Sequence, residues 1–578
     1  MGRVRLASLA AFVTFSASIV GAQVAGDIDE SKKDPVDWAE KETGIPVTDK
    51  LTIEKCGTCH APDDKGNLSR ISWIRATPEG WSQAIKRMAN LNGLSITPQE
   101  AHDVVRYLST WHGLAPDEAK PVMYMAEHRV IDETNIPNDT VRSACTTCHE
   151  FGRPMSSRRS HREWALLQNM HKALYPQAGV WLGMPAKEQP EDNKPPKLPL
   201  TQGQIALAWL SKEANLNTSA WADWRPRIRT PRLAGKWIIS ASLAGHGDFV
   251  GEMTITPAGK DFTTTTSLRS LDTGAVANRT GKGLVYAGYS WRGTTTGGGT
   301  PSRPDDISGQ IREAMWFSPD QSSAEGRWYW GDYQEFGLDV KMVRATGAPM
   351  IATVSPGAVK AGSKGVELHM FGDALPSGLS PDDLDFGSGV TVRKVAVISP
   401  SEAVATVDVA SDAIAGLHDV ALQGAVLPKA LPVYKAIDYL KVTPETALAH
   451  LGGIKFGKGY QQFSVTAWSS GPDGKPNTDD DFAIMPVDAT WAMQEFPTVT
   501  YDNDIKYVGA LDASGFFTPS FEGPNPERRF SRNNYGEVWV VATAKSLKDK
   551  TGKPLSARAY LVTTVPKYRR WDQPEVSQ

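Results

Sequence analysis

Two pentapeptides, Cys56-Gly57-Thr58-Cys59-His60 and Cys145-Thr146-Thr147-Cys148-His149, constrain this chain more than any other feature. Two cysteines at this spacing, on one turn of helix, can each form a thioether to a haem vinyl group, and the histidine beside them then coordinates the iron. A zinc or redox C-x-x-C pair has no need of that histidine, yet it recurs in both copies. Cys56, Cys59, His60, Cys145, Cys148 and His149 are therefore read as two covalent haem c sites, with His60 and His149 as proximal iron ligands. The chain has 4 cysteines, all of them in these motifs. None remains for a disulfide, a thiol nucleophile or a cysteine-derived cofactor, and every other part must stand on packing alone.

Haem c is attached outside the cytoplasm, and the N-terminus agrees. Arg3 and Arg5, an apolar run from Leu6 to Val20 and small residues around Ala22 read as a signal peptide over residues 1–22, which places the mature chain in the periplasm. The run is too short to span a bilayer, and no later stretch is apolar for long enough. The formal net charge is −3, more negative still without the two arginines, and basic residues are not gathered into a stripe. Nucleic acid and anionic membrane are accordingly poor partners.

A chain of 578 residues exceeds one core and divides into domains. Residues 23–228 carry helical periodicity in two similar halves of about 90 residues, Cys56 opening one motif and Cys145 the other. After each motif comes a helix beginning near a tryptophan, Trp81 to Met88 and Trp164 to His171. Each half closes with a threonine-started helix, at Thr97-Pro98-Gln99-Glu100 and at Thr201-Gln202-Gly203-Gln204. In the first, threonine is the N-cap, proline takes the first helical position and Glu100 completes a capping box.

The repeat supplies the sixth ligands. Seven residues at 100° each return to within about 20° of the same helix face, so Met88 after Trp81 and His171 after Trp164 are equivalent. The expected pairs are His60/Met88 and His149/His171. Met184, before Pro185 and the closing helix, competes with His171. Six-coordinate iron suits electron transfer, and methionine ligation raises a haem potential relative to a second histidine. Arg70, Arg75 and Arg87, and Arg153, Arg158, Arg159 and Arg162, are the cations that could pair with haem propionates.

Past Trp224 the pattern turns to alternation broken by Gly and Pro. Strands at Lys236–Leu243, Glu252–Thr256, Asp261–Ser267 and Arg327–Trp330 predict an antiparallel β-barrel-like domain over 229–347. Gly293–Thr300 lacks the Gly-Lys-Ser/Thr ending of a phosphate loop and reads as an exposed hairpin loop. Val-rich runs at 365–370 and 403–409 predict an immunoglobulin-like domain over 348–436. A second is expected over 437–578, with strands at Tyr460–Trp468 and Glu537–Thr543. The acidic loop Asp473–Asp481, which includes Asp479, offers oxygen ligands for calcium without the spacing or terminal glutamate of an EF-hand. The fold class is thus multidomain α plus all-β: a helical dihaem cytochrome c domain, a barrel and two sandwiches.

With Glu54–His60, Arg70-Ile71-Ser72, Thr77–Trp81, Cys145–His149 and Met170-His171 before Tyr175-Pro176 in this order, the chain resembles the alpha subunit of quinohemoprotein amine dehydrogenase along essentially its whole mature length. That resemblance implies two haems c here, a propeller beta subunit, and a gamma subunit bearing a tryptophylquinone that oxidises a primary amine. Electrons would leave the quinone, cross the haems and pass to a soluble copper protein or cytochrome c. It implies no catalytic residue on this chain and no amine oxidation by the chain alone. Two other classes use the same motifs: a free-standing dihaem shuttle or peroxidase, and a binding protein whose β-domains do the work. A peroxidase needs an open iron position, and a co-purifying quinone subunit separates the first reading from both.

Overall fold

The computed structural model describes residues 39–122, 136, 138–147, 149, 151–187, 199–331, 336–454, 456–496 and 502–566. Cys148 and the segment 1–22 lie outside them. The N-terminal part is helical, as the 3.6-residue pattern requires. Lys50–Cys56, Pro78–Asn92 and Pro98–Trp111 build the first half, and Asp139–Thr146, His161–Leu174, Pro176–Gly183 and Gln202–Glu213 the second. Thr97 caps its helix through a capping box with Glu100 behind Pro98, and Thr201 does the same with Gln204.

Between the halves runs a two-stranded ribbon that periodicity did not reveal, because each strand has three residues. Ile74–Ala76 (β1) pairs antiparallel with Ser157–Arg159 (β2), with Arg75 opposite Arg158. Hydrogen bonds flank this pair reciprocally. Thr77 N–H donates to Ser156 O and Ser160 N–H to Trp73 O, while Ala76 N–H donates to His112 O and Arg159 N–H to Ala214 O. Trp81 Nε1 donates to the same His112 carbonyl at 2.9 Å and Trp164 Nε1 to Ala214 at 3.0 Å. The two halves are thus related by a local twofold axis through the Arg75–Arg158 pair.

Eight strands then close into an antiparallel barrel: Gly235–Leu243 (β3), Gly247–Ala258 (β4), Asp261–Ser270 (β5), Val276–Tyr286 (β6), Ser290–Gly297 (β7), Gln310–Phe317 (β8), Ser323–Tyr329 (β9) and Gly337–Arg344 (β10), with β10 pairing back to β3. Alternate residues point inward, and Trp237, Trp291 and Trp328 fill the interior. The expectation of an exposed hairpin loop at Gly293–Thr300 holds for Gly298–Thr300, which are exposed after β7, and is corrected for the rest. Gly293 to Gly297 belong to β7, and a Cβ on Gly293 would sit 2.6 Å from Glu313 Oε2. That glycine answers to packing inside the barrel and not to a turn.

From Met350 to Tyr434, two four-stranded sheets face each other across one apolar core that includes Leu368, Ala405, Val420 and Val433. The remaining chain forms a four-stranded and two three-stranded sheets. The single strand expected at Tyr460–Trp468 divides: Gln461–Gln462 pairs with Phe516–Pro519, and Ser464–Ser469 pairs with Tyr439–Thr443. Between them Phe463 is fully buried.

The barrel seats on the first helical half. Leu284 and Tyr286 enter the core of Val104, Val105 and Leu108. Tyr289 Oη donates to Leu114 O at 2.8 Å, and Trp316 Nε1 to Pro116 O at 3.0 Å. Arg292 of β7 makes a buried ion pair with Glu79 at 2.5 Å. No helix among the described residues is long and apolar enough to cross a membrane.

Candidate haem sites

In the first motif, Asp49 caps the Lys50–Cys56 helix by accepting from Thr52 N at 2.8 Å. The helix ends at Cys56, and Cys59 N–H and His60 N–H both return to the Cys56 carbonyl. That extra turn gathers Cys56, Cys59 and His60 on one side. His60 Nδ1 donates to Ser69 O at 2.9 Å, which leaves the Nε2 lone pair available to a metal. Burial holds the His60 pKa below its ordinary value, with the charge of Arg70 acting the same way, so the imidazole is neutral as a metal ligand must be.

The second motif also follows a capped helix. Asn138 caps the Asp139–Thr146 helix, Cys145 lies in its last turn, and His149 follows. The imidazoles of His149 and His171 lie with ring centres 6.3 Å apart and ring planes inclined at 54°. His171 Nδ1 is taken by the Leu167 carbonyl at 2.8 Å, again leaving Nε2. Two imidazoles bound to one metal at about 2 Å per nitrogen have ring centres about 6 Å apart. Met88 occupies the place in its helix that His171 occupies in the other. It is half-buried, and its sulfur accepts from Asn92 Nδ2 at 3.6 Å. Met184 is exposed at the C-cap of Pro176–Gly183.

The donor set suits haem better than thiolate chemistry. Burial pushes the Cys56 thiol up to about 11 and the Cys145 thiol up to about 12. Such surroundings oppose a thiolate, as zinc or a nucleophile would require, whereas an uncharged thioether is at home in them.

Three of the arginines that could pair with propionates are committed to carboxylates of the protein instead. Arg75 and Arg158 are buried on Glu118, Arg75 Nη1 at 2.6 Å and Arg158 Nε at 3.3 Å from its oxygens. Burial alone would raise Glu118, but the two guanidinium groups and the Thr218 hydroxyl outweigh it and hold the carboxyl at about 2. Arg70 is paired to Glu163. Arg159 lies over the Trp164 ring at 5.5 Å, its pKa lowered by burial to about 10. The carbonyls of Ser69 and Leu167 and the carboxylates of Glu118 and Glu163 were not among the residues singled out from sequence. Carbonyls carry no sequence signal. Ser160-x-x-Glu163 does read as a capping box, but only half of it forms, because Glu163 turns to Arg70.

In the acidic loop, Asp473, Asp480 and Asp481 offer oxygens within 4.8 Å of one another. The loop is already closed on itself by Thr478 and by Tyr439, whose hydroxyl donates to Asp481 at 2.5 Å.

Family models match the chain in four successive stretches. The haem-binding domain of quinohemoprotein amine dehydrogenase A, alpha subunit, matches residues 47–182. Domains II, III and IV of that alpha subunit match 230–345, 348–435 and 440–576. None of the curated proteins compared matches the chain. Among solved structures, the redesigned β-barrel mFAP1 bound to DFHBI is 15% identical, covering 19% of this chain and 94% of its own, with a TM-score of 0.16. Tandem Ig repeats of Dlar are 12% identical over 38% of this chain and 97% of theirs, with a TM-score of 0.11. Scores this low decide nothing. The four family matches follow one another along the chain in domain order, and the chain belongs to the family of quinohemoprotein amine dehydrogenase alpha subunits.

Proposed function

We propose that this chain is the dihaem c electron-relay subunit of a periplasmic quinohemoprotein amine dehydrogenase. The observation that carries the reading is the duplicated unit whose second copy sets His149 and His171 ring to ring at 6.3 Å, each half holding a histidine by Nδ1 on a backbone carbonyl. Haem, when bound, supplies one-electron redox chemistry at each site. The chain's own residues attach it through Cys56 and Cys59 and through Cys145 and Cys148, and orient the proximal imidazoles of His60 and His149. They close the sixth positions with Met88 and His171. Closed positions favour relay over binding of a small substrate at iron.

Oxidising a primary amine with one water to an aldehyde and ammonia releases two electrons and two protons. In this reading a tryptophylquinone held by a gamma subunit would supply the two-electron chemistry, and this chain would hold the two haems that hand single electrons on to a soluble copper protein or cytochrome c. The division at 228, 347 and 436 is part of the proposal. So are the signal peptide over 1–22 and the immunoglobulin-like character of the two C-terminal parts, which with the barrel serve as scaffold for the beta and gamma subunits.

The test is anaerobic mixing of the purified complex with a primary amine while the haem absorption bands are followed. Rapid reduction of both haems is expected. Oxidised spectra that stay unchanged, in a complex carrying two haems per chain, would overturn amine oxidation and favour a free-standing dihaem shuttle.

A further inference from the structure

Arg70 adopts a left-handed backbone, φ +68°, which non-glycine residues rarely take. The peptide joining it to Ser69 is the one whose carbonyl receives His60 Nδ1. Its side chain leaves its own half. Arg70 Nε lies 3.0 Å and 2.9 Å from the two carboxylate oxygens of Glu163, whose side chain is wholly buried. Glu163 is the third residue of the His161–Leu174 helix, the helix that carries His171, and its own backbone N–H is held by Ser160 Oγ at 3.2 Å. The strained residue beside one candidate haem site is therefore anchored by a rigid buried carboxylate of the other. Unfavourable backbone persists where surrounding contacts over-determine it.

We propose that the Arg70–Glu163 bridge is a positioning contact by which the second haem unit holds the Ser69 carbonyl on His60 and thereby sets the reduction potential of the first haem. The inference rests on the reading of His60 as a proximal ligand. A firmly held Nδ1–H···O bond makes the imidazole a more basic ligand, stabilises ferric over ferrous iron and lowers the potential. Releasing the carbonyl raises it. Loss of the Arg70 charge acts in the opposite sense, since a nearby cation disfavours ferric iron.

A pair of substitutions separates the two effects. Arg70→Ala and Arg70→Gly remove the same charge, but only glycine holds φ +68° without strain. Spectroelectrochemical titration of the complex should show one of its two haem potentials higher in Arg70→Ala than in Arg70→Gly. A threefold difference in the reduction equilibrium is expected, roughly 28 mV for one electron at about 59 mV per decade. The other haem should agree between the two. In the reduced protein, the His60 Nδ1–H resonance should exchange faster in Arg70→Ala and in Glu163→Gln than in wild type or Arg70→Gly. Glu163→Gln provides the readout if the alanine variant folds poorly. Haem content is measured alongside. A chain without covalent haem at Cys56 and Cys59 overturns the proximal-ligand reading and the inference with it. Two attached haems with equal potentials in the alanine and glycine variants, and an unaltered Nδ1–H in Glu163→Gln, overturn the inference alone.

Discussion

Glu118 and Glu313 are both buried carboxyls, and they respond to pH in opposite senses. Glu118 is ionised between Arg75 and Arg158, its pKa held near 2 against an ordinary 4.5. Its contribution to stability is complete above about 4.5 and is lost as pH falls toward 2. At pH 7, Glu118→Gln leaves two buried guanidinium groups short of a counter-charge and should cost about 3–5 kcal/mol, read as an earlier unfolding transition of the haem unit. Glu313 lies inside the barrel, where burial raises it to about 7 despite the Trp291 Nε1–H bond at 2.8 Å and the charge of Arg279. Its contribution is present below about 4.5 and is lost as pH rises through 7. Glu313→Gln keeps an acceptor for Trp291 without a charge. The variant should be more stable than wild type at pH 8 by up to about 3 kcal/mol, with little difference at pH 4, in melts of the barrel followed by tryptophan fluorescence.

At the scale of elements, the barrel strands β6 and β7 explain why glycine recurs where the alternation is otherwise β-branched. A Cβ on Gly283 would meet the Trp291 ring at 2.1 Å, so the indole fills the space that glycine leaves. Gly283→Ala should destabilise the barrel by about 1–3 kcal/mol through overpacking while haem content stays at the wild-type value, measured by chemical denaturation and pyridine haemochrome spectra. Alternation located the other barrel strands named from sequence, because inward and outward faces differ in polarity along each strand, but the Glu252–Thr256 and Arg327–Trp330 readings caught less than half of Gly247–Ala258 and of Ser323–Tyr329. It failed at Gly293–Gly297, where small residues face a crowded interior and look like the turn that follows them. The split at Phe463 was equally invisible, since a continuous run of β-formers says nothing of which sheet each half joins.

For the whole molecule, the decisive contact is between barrel and first helical half. Glu79 and Arg292 are both buried there, at 3% and 0% side-chain exposure. Arg292→Leu strands the Glu79 carboxylate and should cost about 3–5 kcal/mol. Calorimetry should then resolve separate transitions for the haem unit and the barrel, against a single one expected for wild type. Sequence alone determined the attachment motifs, the helix faces and caps, the equivalence of Met88 with His171, and the order from helical unit to barrel to sheets. Each of these is written in neighbours, by covalent spacing or by a period of two or 3.6 residues. Only the tertiary structure decided that Arg75 and Arg158 meet on Glu118, that a Ser69 carbonyl holds His60, and that Glu163, 93 residues from Arg70, anchors it across the twofold axis. Those partners are chosen by how packed elements cross, and local spacing carries no record of that crossing.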